Sequence, residues 1–127
     1  MRYSIATTHY KVDGVLLKAW ITQLRKGLFE LLLLNVIARG ESYGYEIVGQ
    51  LRLVNAFQVT ESTVYPILER LHKDGYVGVR REASPNGPMR RYYSLTPAGK
   101  YRVAEMNNYW DSLNRSIAEL RNVEKGE

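Results

Sequence analysis

Residues 60–75 read Thr-Glu-Ser-Thr-Val-Tyr-Pro-Ile-Leu-Glu-Arg-Leu-His-Lys-Asp-Gly. Val64, Ile67, Leu68 and Leu71 recur at the spacing of one helical face. Thr60 stands where an N-cap is wanted, and Lys73-Asp74-Gly75 closes the helix with a glycine suited to left-handed backbone. Pro66 frees the carbonyl of Ser62 and is expected to bend the helix or loosen its first turn, yet the stripe continues on both sides of it. Glu61, Ser62, Tyr65 and Glu69 lie opposite the stripe, with Arg70, His72 and Lys73 further along. Ser62, Thr63 and Tyr65 are short or flat hydrogen-bonding groups of the kind that reach base edges and phosphates. Taken singly, each fits a solvated helix face equally well.

Upstream, Thr22 to Arg39 is rich in helix formers, with Leu24, Leu28, Leu31 and Leu32 on one side. Leu33, Leu34, Val36 and Ile37 carry apolarity around the cylinder, which predicts burial on more than one face. Gly40 ends this helix. The apolar group Val15, Leu16, Leu17 and Trp20 is compatible with an earlier start, while residues 1–13 show no period. Ser42 is placed to cap a second helix running to about Leu53, with Ile47, Leu51 and Val54 inside, and residues 55–59 form a connector.

Downstream, Tyr76 to Arg81 alternates as a strand, Ser84-Pro85-Asn86-Gly87-Pro88 is a turn, and Arg90 to Leu95 returns. Two short helices followed by a hairpin are the order of a winged helix, whose second helix enters the major groove. Arg80, Arg81, Arg90 and Arg91 are expected to crowd at the hairpin base, where phosphate would relieve their repulsion. A solvated edge hairpin charged against aggregation is the alternative. Thr96 then caps a last helix with Pro97 at its first position. That helix is expected to reach about Asn122. Val103, Met106, Trp110, Leu113, Ile117 and Leu120 form a stripe spaced 3, 4, 3, 4, 3, a dimer seam or a surface for the chain's own first helix.

The bulk numbers agree with one domain. The chain has 127 residues, 45% of them hydrophobic and 24% charged. Its net charge of +5 favours a polyanionic partner. With no cysteine, disulfides and thiolate metal sites are excluded. Only two histidines occur, His9 and His72, and there is no P-loop or dinucleotide fingerprint, so neither an enzyme, a cofactor nor a metal site is expected. The longest apolar run, Leu31 to Leu34, is far too short to span a membrane, and the N-terminus lacks a secretory pattern, which predicts a cytoplasmic protein with no membrane partner.

Three stretches together resemble the PadR-like regulators. The first is Leu24-Arg25-Lys26-Gly27 with its leucine run, continued by Ser42-Tyr43-Gly44-Tyr45-Glu46-Ile47. The second is Ser62 to Leu71, including Pro66, followed by Asp74-Gly75-Tyr76-Val77. The third is Gly87 to Gly99. The resemblance runs over about residues 24 to 122. It implies a mainly α fold with a small β-hairpin wing: a winged helix-turn-helix at 24–96, a C-terminal dimerisation helix at 97–122, an N-terminal extension at 1–23 and a frayed tail at 123–127. It implies a homodimeric repressor on double-stranded DNA, at an inverted-repeat operator, released by a small effector. Tyr43, Thr60, Ser62, Thr63, Tyr65, Arg70, Lys73, Arg90 and Arg91 are then the expected DNA contacts. Trp110 stands where multidrug-sensing relatives stack flat aromatic compounds, although core or dimer packing is the simpler account of a large side chain at that position. A winged-helix adaptor that binds an acidic protein is the rival, separable by salt-dependent binding to random duplex. RNA binding is expected least, because the sequence lacks an exposed stacking platform on a sheet, although ten tyrosines leave some room for one.

Overall fold

The computed structural model describes residues 15–54 and 59–126. The elements are α1 (Val15–Ala38), β1 (Ser42–Tyr43), α2 (Gly44–Leu53), α3 (Glu61–Lys73), β2 (Val77–Ser84), β3 (Gly87–Leu95) and α4 (Pro97–Gly126). The strands form one antiparallel sheet in the order β1-β3-β2. The fold is the expected one: mainly helical, with a small hairpin wing and a long last helix.

One core joins α1, α2, α3 and the sheet. Leu33, Leu34, Ile47, Leu51, Leu68 and Leu71 are fully covered within it. Each such side chain contributes about 2 kcal/mol by leaving water. Leu33 and Leu34 are both buried because α1 is packed from more than one side, as its sequence predicts. The stripe of α3 divides as expected, with Val64, Leu68 and Leu71 inside and Pro66 on the exposed face. There the proline interrupts the ladder without stopping the helix. Gly75, at φ 86°, makes the left-handed turn into the wing.

Four expectations need correction. Ser42 does not cap α2. It pairs with Tyr93 as the first residue of β1, and its hydroxyl donates to the Gly40 carbonyl at 3.0 Å. Tyr43 takes the cap position instead, with extended backbone and its N–H donating to Glu46 Oε1 at 3.1 Å. The boundary at residue 24 falls inside α1, whose helix already begins at Val15, and the rest of the expected N-terminal extension, residues 1–14, lies outside the described residues. The last helix continues to Gly126, because Val123-Glu124-Lys125 contains no breaker, so residues 123–126 of the expected frayed tail are helical, and residue 127 lies outside the described residues.

The fourth correction concerns the wing arginines, which do not converge. In the hairpin Arg81 faces Arg91, whereas Arg80 faces Tyr92 and Glu82 faces Arg90. Cross-strand partners share a face and successive residues alternate, so two arginines fall on each side. Carboxylates then divide them further. Arg80 is tied to Glu41 at 2.9 Å and to Glu82, while Arg91 is tied to Glu69 at 2.6 Å.

α4 is fastened to α1 by polar pairs far apart in sequence. Asn35 and Asn107 exchange two amide hydrogen bonds of 3.0 Å. Arg102 bonds Glu30 and stacks over Tyr76, its guanidinium 4.6 Å from the ring centroid. Thr96 caps α4 as expected: its Oγ1 accepts from the Gly99 N–H and donates to the Gly75 carbonyl at 2.7 Å.

Candidate nucleic-acid interface

The N-terminal half of α3 presents three hydroxyls in one cluster. Thr60 Oγ1 lies 2.8 Å from Ser62 Oγ and 3.4 Å from Thr63 Oγ1, and all three residues are exposed. The first turn of α3 also aims backbone N–H groups outward, and such groups attract phosphate oxygens. Arg52, at the end of α2, donates from Nε to the Val59 carbonyl at 3.0 Å and so anchors the chain just before Thr60.

Tyr65 leans on α2 rather than projecting freely. A β-carbon built on Gly44 would lie 2.1 Å from Tyr65 Cε1, so the ring covers the glycine backbone directly. Burial, helped by the charge of Glu61 and by Tyr93, pushes the phenol above the usual tyrosine range. Replacing Gly44 with Ala is therefore expected to swing the Tyr65 ring outward. Because the clash is with a half-exposed side chain, the stability loss should stay near 1 kcal/mol. The phenol would then titrate closer to an ordinary tyrosine, which ultraviolet pH titration against a Tyr65→Phe reference would resolve. An unchanged titration would show that the ring had not moved.

A groove of about 530 Å³ separates Gly44, Tyr65 and Glu69 from Met89, Arg90 and Arg91 of the wing. The Glu69–Arg91 ion pair crosses it. Both side chains are about half exposed, so this pair is weak and a phosphate can replace the carboxylate. On the outer face of the sheet, Arg90 stacks over Tyr43 at 4.5 Å and Arg80 over Tyr92 at 4.7 Å, with the two tyrosine rings edge to face. The Arg80 hydrogen bond holds Glu41 below the usual carboxylate range.

The expected contacts thus form two groups and two outliers. Tyr43, Tyr65, Arg90 and Arg91 line the α3–wing groove, while Thr60, Ser62 and Thr63 cluster at the N-terminus of α3. Arg70 turns instead toward Glu30 of α1, 3.8 Å away, and Lys73 is about 15 Å along the helix axis from Thr63. Sequence reasoning missed Glu69 and Glu41 as internal counterions. It also missed Gly44 as the floor beneath Tyr65, although the run Tyr-Gly-Tyr opening a helix is an unusual place for a flexible residue.

The sequence pattern described as the transcriptional regulator PadR-like family matches residues 33–105. The chain belongs to this family. The matched span runs from the buried leucines of α1 to the first turns of α4 and contains the whole groove. A solved Streptococcus transcriptional regulator is 36% identical, with a TM-score of 0.70 over 79% of this chain and 98% of that one. A PadR-like transcriptional regulator from Bacillus cereus is 31% identical, with a TM-score of 0.70 over 83% and 99%. A transcriptional regulator of Mycobacterium tuberculosis is 28% identical over 75% of this chain and 87% of its own length. The protein is accordingly a winged-helix, DNA-binding transcriptional regulator, and the members of its family are regulators rather than enzymes. Among the described residues no helix is long and apolar enough to cross a membrane.

The PadR-like stripe on α4 is not uniform. Val103 is only 7% exposed and belongs to the chain's own core, so it is lost to any partner. Met106 and Trp110 pack partly against that core. Leu113, Ile117 and Leu120 stand progressively clear of it, with Leu120 73% exposed. Between α1 and α4 lies an apolar cleft of about 540 Å³, walled by Leu24, Leu28 and Leu31 opposite Met106, Trp110 and Leu113.

Proposed function

We propose that this regulator is a homodimeric repressor that grips an inverted-repeat operator with two α3–wing units, in the cytoplasm, and is released by a flat aromatic compound. The carrying observation is the groove itself: Tyr65 and Glu69 of α3 and Arg90 and Arg91 of the wing border the same exposed space, and the hydroxyl cluster of Thr60 and Ser62 stands at the N-terminus of the same helix. In this reading Thr60, Ser62 and Thr63 meet phosphates and base edges, while Tyr65 fixes the angle between α2 and α3. Arg90 and Arg91 bind backbone phosphates, and Arg70 and Lys73 add long-range attraction. Two copies join through Trp110, Leu113, Ile117 and Leu120, so that each chain reads one half-site. The α1–α4 cleft has the size and lining of a small-molecule site, with Trp110 as the stacking surface. Footprinting on the promoter of the protein's own gene tests the operator, and protection with two-fold symmetry is expected.

The wing acts through charge. Replacing Arg90 and Arg91 together by Ala should weaken operator and random duplex nearly equally and lower the salt slope by about 1.8, at about 0.9 per phosphate neutralised. A slope equal to wild type would remove the wing from the interface. Negligible binding of wild type to random duplex at low salt would favour the adaptor reading instead.

A further inference from the structure

β1 is only two residues long and pairs with β3 at Tyr92 and Tyr93, leaving the wing beyond Tyr92 without a neighbour on that edge. Arg90 lies two residues further along β3 on the same face as Tyr92. It is therefore the diagonal neighbour of Tyr43, within reach of an aromatic ring. The Tyr43 ring fills that position, with the Arg90 guanidinium 4.5 Å from its centroid. Tyr43 is itself fixed: its backbone N–H donates to Glu46 Oε1, and Tyr92 meets its ring edge to face at 5.4 Å.

Three of the four wing arginines therefore differ in electrostatic state. Arg80 also lies on a tyrosine, but Glu41 and Glu82 occupy its guanidinium edge. Arg91 is opposed by Glu69. Among the described residues Arg90 has no carboxylate in ion-pair contact. A ring holds a guanidinium by its face and leaves its N–H edge able to donate to phosphate. An exposed arginine otherwise loses much rotamer freedom when it binds, and stacking removes part of that loss before DNA arrives.

We propose that Tyr43 is a positioning residue for DNA binding, whose ring holds the Arg90 guanidinium in the pose that meets a backbone phosphate. This rests on the reading that the α3–wing face is the DNA surface. Tyr43 then acts through Arg90 and its hydroxyl touches nothing on the duplex.

The test is fluorescence anisotropy on a random-sequence duplex across a salt series, with melting curves confirming that each variant folds. Tyr43→Leu should weaken binding about two- to five-fold, the strength of an exposed cation–π contact, with the salt slope of wild type. Tyr43→Phe should bind like wild type, because the ring remains. Arg90→Lys, which keeps the charge but lacks the flat face, should reproduce the loss without using Tyr43 at all. In an Arg90→Ala background Tyr43→Leu should cost nothing more. The proposal falls if Tyr43→Leu costs as much in that background as alone, or if Tyr43→Phe loses as much as Tyr43→Leu. Wild-type affinity and slope in Arg90→Ala alone would overturn it differently, by removing this arginine from the DNA surface.

Discussion

Gly99→Ala is expected to destabilise the protein by about 3 kcal/mol, the upper part of the range for overpacking a closed site. A β-carbon there would lie 2.0 Å from the Tyr76 carbonyl oxygen and 3.3 Å from Leu95 Cδ2. The obstacle is backbone, which cannot rotate aside as a side chain can. Tyr76 is also held through both of its backbone polar groups, its N–H donating to Leu71 O at 2.9 Å and its carbonyl accepting from the Thr96 N–H at 3.1 Å. Relieving the clash means breaking one of these or lifting α4 from the sheet. For a chain of this size the loss corresponds to a fall in Tm of about 10 °C, measured at one fixed protein concentration. Gly49→Ala is the matched control. Nothing lies within 4 Å of the added methyl, and Ala favours a helix interior over Gly by about 0.5–1 kcal/mol. Melting temperatures that fall together, or a Gly99→Ala protein as stable as wild type, would refute the close approach.

The contrast between these glycines marks where sequence reasoning stopped. The stripe of α3, its Thr60 cap, the closing Gly75 and the hairpin were legible because each depends on neighbours within a few residues. So was the interior Pro66, whose helix shows its apolar period on both sides. What approaches Gly44 or Gly99 depends on partners 21 and 23 residues away, and no local pattern announces them. β1 was missed for the same reason: two residues have no period, and their strand character comes from Tyr92 and Tyr93 across the sheet. The candidate interface was legible as a set of donors but not as an electrostatic surface. Arginine next to arginine reads as a positive cluster until Glu41 and Glu69 are folded against it. The stripe on α4 is apolar throughout in the sequence, but its division into a core-facing start and an exposed end is set by how far along the helix the chain's own core reaches.

That exposed end makes Ile117→Glu the sharpest test of the proposed assembly. α4 is about 45 Å long at 1.5 Å per residue, and residues 111 to 122 are all exposed in the single chain. Ile117 is 43% exposed, so a glutamate there should leave the folded domain unchanged. In a two-fold dimer the same substitution acts twice, placing two unpaired carboxylates in an apolar seam at several kcal/mol each. The dimer should weaken by at least 1,000-fold and sediment as a monomer at tens of micromolar. Such a monomer retains its groove, so its affinity per chain for random duplex should change little, whereas the operator loses the second half-site and should bind at least 100-fold more weakly. Trp110→Ala answers a different question. Trp110 is partly covered by its own α1 and also lines the cleft, so its truncation should cost both stability and the binding of flat aromatic compounds, read by quenching of tryptophan fluorescence in wild type. If Ile117→Glu remains dimeric while Trp110→Ala dissociates, the seam lies nearer the cleft than the exposed end of α4. If the wild-type chain is itself monomeric at tens of micromolar, the two-half-site mode of binding fails, while the groove remains a site for single-copy contact with DNA.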